Sequence, residues 1–243
     1  MRRLIPALWR LTVLLLLAGC QPAVPDAAPL ETVETLLVQV TPSARPVIPA
    51  VQACAALFLD MNVRIQERFA GEAEPGLLIR LGEPEEQGTT LAQIASEEIG
   101  VILHPDNPAA SLTVDQIKDL LTGKSTSWAD LGGSDEAVKV WGLYPGDEAR
   151  QAIERQILNG VPLASSASLA PDPQALQDAV LSDPAAIGFL PAAWAKDDVH
   201  FILTGVRLPV LAASDQPLEG AAAELTACLQ GETGQTIIDA VYP

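Results

Sequence analysis

"VILHPDNPAASLTVDQIKDLLTGKSTSWADLGG", residues 101–133, is the stretch whose reading decides the fold. Its first residues complete the run Ile99–Pro105, a short continuous apolar segment of the kind that forms a strand buried on both faces. Asp106-Asn107-Pro108 is a turn. Thr113 with Gln116 three residues on fits a capping box; Val114, Ile117, Leu120 and Leu121 form an apolar stripe, and Gly123 closes the helix. Trp128, just before Gly132-Gly133, has the chemistry of an indole covering a core edge. Asp106, Asn107, Thr113 and Trp128 are thus turn, cap and packing residues, and they speak to fold rather than to a ligand.

The same alternation continues outward. Thr35–Pro42 is a strand-like run that stops at proline, and Val51, Ala55, Leu57 and Phe58 predict a helix after Pro49. Val63–Phe69 and Gly76–Leu81 are strand candidates separated by the acidic turn "GEAEPG". Downstream, Val138–Gly146 predicts a strand and turn, Glu148–Leu158 a helix, and Asp172-Pro173 a capped helix start with proline at its first position. Ala186–Pro191 and Val199–Val206 return as strands, and the chain closes in helix. Strands alternating with helices indicate an α/β sheet.

The first residues have a different character. Met1-Arg2-Arg3 and Arg10 precede an apolar run from Leu11 to Ala18, which ends in Leu17-Ala18-Gly19-Cys20. This is the pattern of a lipoprotein signal peptide over 1–20, with Cys20 as the lipidated residue and the chain held outside the cytoplasm on the cell membrane. Residues 21–35, rich in Pro and Ala and without apolar periodicity, are expected to be a flexible tether. Loss of Arg2, Arg3 and Arg10 takes the formal charge from −17 to −20. Such a surface excludes nucleic acid as a partner, but not an anion held by backbone N–H groups at a helix start. Two cysteines remain, Cys54 and Cys228, each in an apolar helical pattern. They could close one structural disulfide or stay as two buried thiols.

Signals for catalysis are missing. His104 and His200 are too far apart for a metal spacing, and the sequence has no Gly-x-Ser-x-Gly elbow, phosphate-cradling Walker loop, Cys-x-x-Cys pair or H-E-x-x-H helix. The expectation is a protein that is not an enzyme and needs no cofactor and no metal.

Four stretches together, Val101–Gly133, Val138–Glu154 ("VKVWGLYPGDEARQAIE"), Ala186–Pro191 and Gly231–Pro243, resemble the phosphate-type periplasmic solute-binding proteins of ABC transporters. The resemblance runs from about Thr35 to Pro243 and is strongest in the middle third. It implies a two-lobed α/β fold of the type II periplasmic-binding-protein class, each lobe a central mixed sheet flanked by helices, with two hinge crossovers. Lobe I would comprise residues 36–98 and 188–243, and lobe II residues 99–187. The implied function is extracytoplasmic capture of a small solute, an oxyanion in the family, and its presentation to an ABC permease by a monomer. A degenerate binding fold that acts as an extracytoplasmic sensor or interaction module without uptake is the alternative.

The resemblance also locates the ligand loops. Where the family opens a helix with Ser-Gly-Thr-Arg, this chain has Asp147-Glu148-Ala149-Arg150 after Gly146. Both hydroxyls are replaced, and two carboxylates stand where the anion would lie. Aspartate near a helix start is also an ordinary cap, and Arg150 can pair with Glu154 on the helix surface. After the first strand the hydroxyl loop of the family corresponds to Thr41, Ser43 and Arg45, and Arg80 is the candidate for its second lobe-I arginine. The implied ligand set is therefore Thr41, Ser43, Arg45, Arg80, Gly146, Asp147, Glu148, Ala149 and Arg150, and the carboxylates imply a solute other than phosphate. The helix expected between the second and third strands is reduced to "GEAEPG".

Overall fold

The computed structural model describes residues 34–69, 76–84, 89–109 and 111–242. The signal peptide, Cys20, most of the tether and "GEAEPG" up to Pro75 lie outside the described residues. Residues 33–243 make up one compact unit.

Strands and helices alternate as the sequence predicts. In chain order they are β1 (Glu34–Val40), α1 (Ile48–Ala55), β2 (Met61–Glu67), β3 (Leu77–Leu81), β4 (Thr90–Leu103), α2 (Val114–Leu121), β5 (Lys139–Leu143) and α3 (Glu148–Gln156). They continue as β6 (Ser168–Ala170), α4 (Pro173–Leu181), β7 (Ala186–Pro191), β8 (His200–Ser214), α5 (Gly220–Gln230) and α6 (Glu232–Ile238). Short 3-10 turns occupy Pro42–Val47, Trp128–Leu131 and Ala192–Trp194. The described strands form one mixed sheet in the order β2-β1-β3-β8-β4-β7-β5-β6. β1 is in register with β2 from its first residue, Glu34 opposite Met61, so Glu34 and Thr35 are strand rather than tether.

Two long antiparallel strands hold this sheet together. β4 and β8 pair from Thr90 opposite Ser214 to Leu103 opposite His200, and so run through both halves of the sheet. The sequence reading found only the end of β4 and the start of β8. The reason is visible in burial: Ile99–Leu103 is continuously buried, whereas Thr90–Glu98 mixes polar and apolar residues with most positions half-exposed. At the junction the register shifts. Ile99 faces Val206 and Gly100 faces Leu203, which leaves Thr204 and Gly205 as a bulge in β8. Gly205 has φ of +79°, and the Thr204 hydroxyl donates to the Ile99 carbonyl. β7, which begins before the expected boundary at residue 188, pairs through Ile187–Pro191 with the far end of β4 and through Ala186–Ile187 with β5.

The packing residues of the opening stretch take the places their chemistry suggests. Thr113 and Gln116 form the reciprocal capping box, Ile117, Leu120 and Leu121 are buried, and Gly123 adopts φ +75° at the helix end. Val114, expected on the same stripe, is 46% exposed, because it sits on the first turn beyond the reach of the core. The Trp128 indole N–H donates to the Ala185 carbonyl at 3.0 Å, and Asn107 Nδ2 donates to the Pro184 carbonyl at 2.8 Å. Both side chains fasten the turns around α2 to the loop before β7.

Cys54 of α1 and Cys228 of α5 form a disulfide that closes a sequence separation of 174 residues. Tyr242 reinforces the same corner, its hydroxyl donating to the Ala44 carbonyl at 3.2 Å. In the chain-entropy model a loop of this length contributes on the order of 5 kcal/mol, with 2–4 kcal/mol more usual in practice. Replacement of both cysteines by serine, or reduction, should lower unfolding stability by about 2–5 kcal/mol. Denaturant titration with and without reductant measures this, and equal midpoints would show that the bridge contributes nothing.

Candidate functional site

The site is built where the loop after β1 meets the loop after β5. β1 ends at Val40, and Pro42 turns the chain into the 3-10 segment that carries Ser43 and Arg45. On the other side, Tyr144-Pro145-Gly146-Asp147 is a reverse turn closed by the Asp147 N–H donating to the Tyr144 carbonyl at 3.2 Å. Proline at its second position and Gly146 at its third, with φ +100°, are the type II requirements. That turn sets Asp147 at the N-cap of α3.

Asp147 is fully engaged there. One oxygen accepts from the Ala149 and Arg150 N–H groups at 2.9 and 3.3 Å, and the other accepts from the Ser43 hydroxyl at 2.7 Å. Asp147 is 1% exposed and Ser43 is fully buried. Burial raises the proton affinity of this carboxyl, while the Ser43 hydroxyl, the two N–H groups and the Arg150 charge work in the opposite direction. The carboxylate therefore occupies the donors, a hydroxyl and a helix N-terminus, that would otherwise cradle an oxyanion.

Glu148, the next residue, is buried too, at 3% exposure. Burial and the neighbouring Asp147 charge push its pKa up from 4.5 to about 8, against the counteracting charge of Arg80. Arg80 Nε stands 3.9 Å from the nearer Glu148 oxygen, an ion pair too long for a hydrogen bond. The buried Thr41 hydroxyl lies near enough to Glu148 to ease its ionisation, yet not in hydrogen-bonding geometry: Thr41 Oγ1 and both Glu148 oxygens are left without a hydrogen bond.

Of the expected ligand set, Thr41, Ser43, Arg80, Asp147 and Glu148 come together, with Gly146 and Ala149 supplying backbone. The two remaining arginines turn elsewhere. Arg45 pairs with Glu67 at 3.2 Å and Asp172 at 3.3 Å, and its guanidinium lies 4.5 Å from the centre of the Trp194 ring. Arg150 donates to Glu154 at 2.9 Å and to the Leu143 carbonyl at 2.8 Å, which places it along β5 rather than at the cap. Three residues around the site were missed by sequence reasoning. Trp194 donates its indole N–H to the Ser43 carbonyl at 3.1 Å, and Glu67 and Asp172 hold Arg45. A groove of about 320 Å³ lined by Pro42, Glu67, Arg68, Phe69, Pro171 and Asp172 opens beside this ion-pair cluster. No local pattern marks these residues as part of the site, Asp172 being legible only as a helix cap, since each pairing spans a long stretch of chain.

A further buried carboxyl, Glu97, lies on β4 two residues before the register shift. It accepts from the Glu98 N–H at 2.9 Å and faces the Ala193 N–H at 3.4 Å, and burial pushes its pKa up to about 7. Among the described residues, no group of three or more His, Cys, Asp or Glu could hold a metal ion.

The raised values have a definite consequence for stability. Glu148 binds its proton more tightly in the folded than in the unfolded chain, so its stabilising contribution is complete below about pH 4.5 and is lost as pH rises through about 8. Glu148→Gln should therefore match the unaltered protein near pH 4.5 and exceed it at pH 8 by on the order of a few kcal/mol. Melting curves of both proteins across that range provide the comparison, and a difference that stays flat with pH would mean that Glu148 is not buried as a proton carrier.

The sequence profile of the PBP superfamily domain matches residues 61–235. A phosphate-binding protein, PstS 2, of Streptococcus agalactiae serotype V is 34% identical over 74 residues, which cover 30% of this chain and 25% of that protein. The phosphate-binding protein PstS of Bacillus subtilis is 23% identical over 171 residues, covering 62% of this chain and 55% of its own. The chain thus aligns with between a quarter and about half the length of these curated relatives. The phosphate-bound structure of a Clostridium perfringens protein assigned as a phosphate ABC transporter substrate-binding protein superposes with a TM-score of 0.76 at 22% identity, over 86% of this chain and 98% of that one. At that identity the likeness speaks to fold. The chain belongs to the PBP superfamily, and its fold is that of the phosphate-type, type II periplasmic binding proteins.

Proposed function

We propose that this protein is the extracytoplasmic solute-binding component of an ABC import system, attached to the membrane through lipid at Cys20, and that its solute is not the phosphate dianion. The two sheet halves joined by β4 and β8 act as its lobes. They close over the solute about the register shift at Ile99–Gly100 and Thr204–Gly205, and the closed monomer is presented to a permease. The family and the two phosphate-binding relatives support the transport reading.

One observation carries the exclusion of phosphate: the Asp147 carboxylate already takes the Ser43 hydroxyl and the α3 N–H groups. A dianion brought within about 4 Å of that carboxylate would meet a repulsion on the order of 4 kcal/mol per unit charge at a partly buried site. Arg45 and Arg150 are held in other ion pairs, and the single charge of Arg80 balances Asp147 and leaves none for a dianion.

A thermal-shift panel of the full-length chain with phosphate, sulfate, molybdate, small carboxylates and amino acids tests the reading. Phosphate should leave the melting temperature of the unaltered protein unchanged. The double variant Asp147→Ser with Glu148→Gly should gain a response, equivalent to about 2.7 kcal/mol at a hundred times its dissociation constant. A strong phosphate response of the unaltered protein would refute the exclusion.

A further inference from the structure

The inner site leaves one carboxyl without a hydrogen bond, its only pairing among the described residues being the long Arg80 contact. Asp147 is saturated, but neither oxygen of Glu148 has a hydrogen bond, and the Thr41 hydroxyl beside it has none either. Both residues are more than nine-tenths buried. Native structures seldom bury polar atoms unpaired, and a ligand-binding role is one of the reasons they do. The charged groups that face Glu148 are Asp147, at the start of its own helix, and Arg80 from β3.

A charge count selects the ligand. The three hydrogen bonds donated to Asp147 suit its ionised form, and counted so, with Arg80 charged and Glu148 neutral, the empty site carries no net charge. An oxyanion added to it would be uncompensated. A monocation would instead let Glu148 ionise, and the site would again be neutral. Burial of net charge is costly, so the second outcome is strongly preferred. The unpaired atoms point the same way, since the Glu148 oxygens and the Thr41 oxygen can all accept, and an ammonium group offers three donors and no acceptor.

We propose that the inner site takes a small organic cation bearing a protonated amine, whose N–H groups are received by Glu148 and Thr41 with Asp147 alongside. This rests on the solute-binding reading above and narrows it to a solute class. Entry requires the Ser43–Asp147 hydrogen bond to open, since it closes the loop after β1 onto α3. As the amine enters with its positive charge, Glu148 gives its proton to solvent, so charge is conserved in the site. Because Glu148 holds its proton up to about pH 8 in the empty site, the release is nearly complete at neutral pH.

The test is calorimetric titration of the full-length chain at neutral pH with methylamine, ethylamine and ethanolamine, and separately with phosphate and acetate, in two buffers that differ in protonation enthalpy. An amine should bind with release of about one proton per site. Glu148→Gln should weaken that binding roughly tenfold to a hundredfold and abolish the proton release. Binding of an anion but of no amine would overturn the cation assignment and leave solute capture standing. Binding of neither class would overturn the cation assignment and leave solute capture to be decided by the wider thermal-shift panel. Amine binding without proton release, or unchanged in Glu148→Gln, would place the contact on the acidic surface and also overturn the assignment.

Discussion

A carboxylate removed from water must be given hydrogen bonds, and at Asp147 those bonds come from two distant parts of the chain. Two are the N–H groups of α3, supplied by the helix that Asp147 itself caps. The third is the Ser43 hydroxyl, 104 residues earlier, from the loop after β1. Meeting the need of one charge therefore ties the loop after β1 to the start of α3, and the rest of the site is arranged around that tie. The Tyr144–Asp147 turn delivers the carboxylate, Trp194 holds the Ser43 carbonyl, and Tyr242 holds the carbonyl of Ala44 next to it.

With the acid in place, the disposition of the cations follows. Arg45 extends between Glu67 and Asp172 against the Trp194 ring, so it bridges the end of β2 and the start of α4 instead of entering the site. Arg150 is drawn along β5 by the Leu143 carbonyl and Glu154. Only Arg80 remains within the inner shell, and it meets Glu148 at ion-pair rather than hydrogen-bond distance. In a chain of formal charge −17 this is a coherent outcome: guanidinium groups go to the carboxylates that surround the site, and the site itself keeps an excess of acceptors.

The mechanical frame is the β4–β8 pair. These strands are continuous across the sheet, and their pairing is interrupted at the register shift at Ile99–Gly100 and the Thr204–Gly205 bulge. Glu97 sits beside that place, buried against the Ala192–Trp194 turn that also carries the Trp194 contact to Ser43. The site and the crossing of the strands are thus linked through a single short segment after β7.

Much of this architecture is legible in the chain itself. Local chemistry is sufficient for the capping box at Thr113, the Gly123 stop, the Asp172-Pro173 helix start, the buried runs Ile99–Leu103 and Ala186–Pro191, and Asp147 as a cap, because each depends on neighbours within a few residues. The loops that meet in the site were also identifiable, through the resemblance carried by residues 101–133, 138–154, 186–191 and 231–243. Less legible were the polar half of β4, whose strand character comes from pairing with β8, and the direction each arginine takes. Arg45 and Arg150 have several rotamers of similar intrinsic energy, and the choice is made by Glu67, Asp172, Trp194 and the Leu143 carbonyl, which only the fold brings within reach. The sequence by itself determined that two acids stand where hydroxyls were expected. The tertiary structure decided that one of them would be satisfied by Ser43 and the other left open, because burial and distance, rather than residue type, set the hydrogen bonds available to a carboxylate.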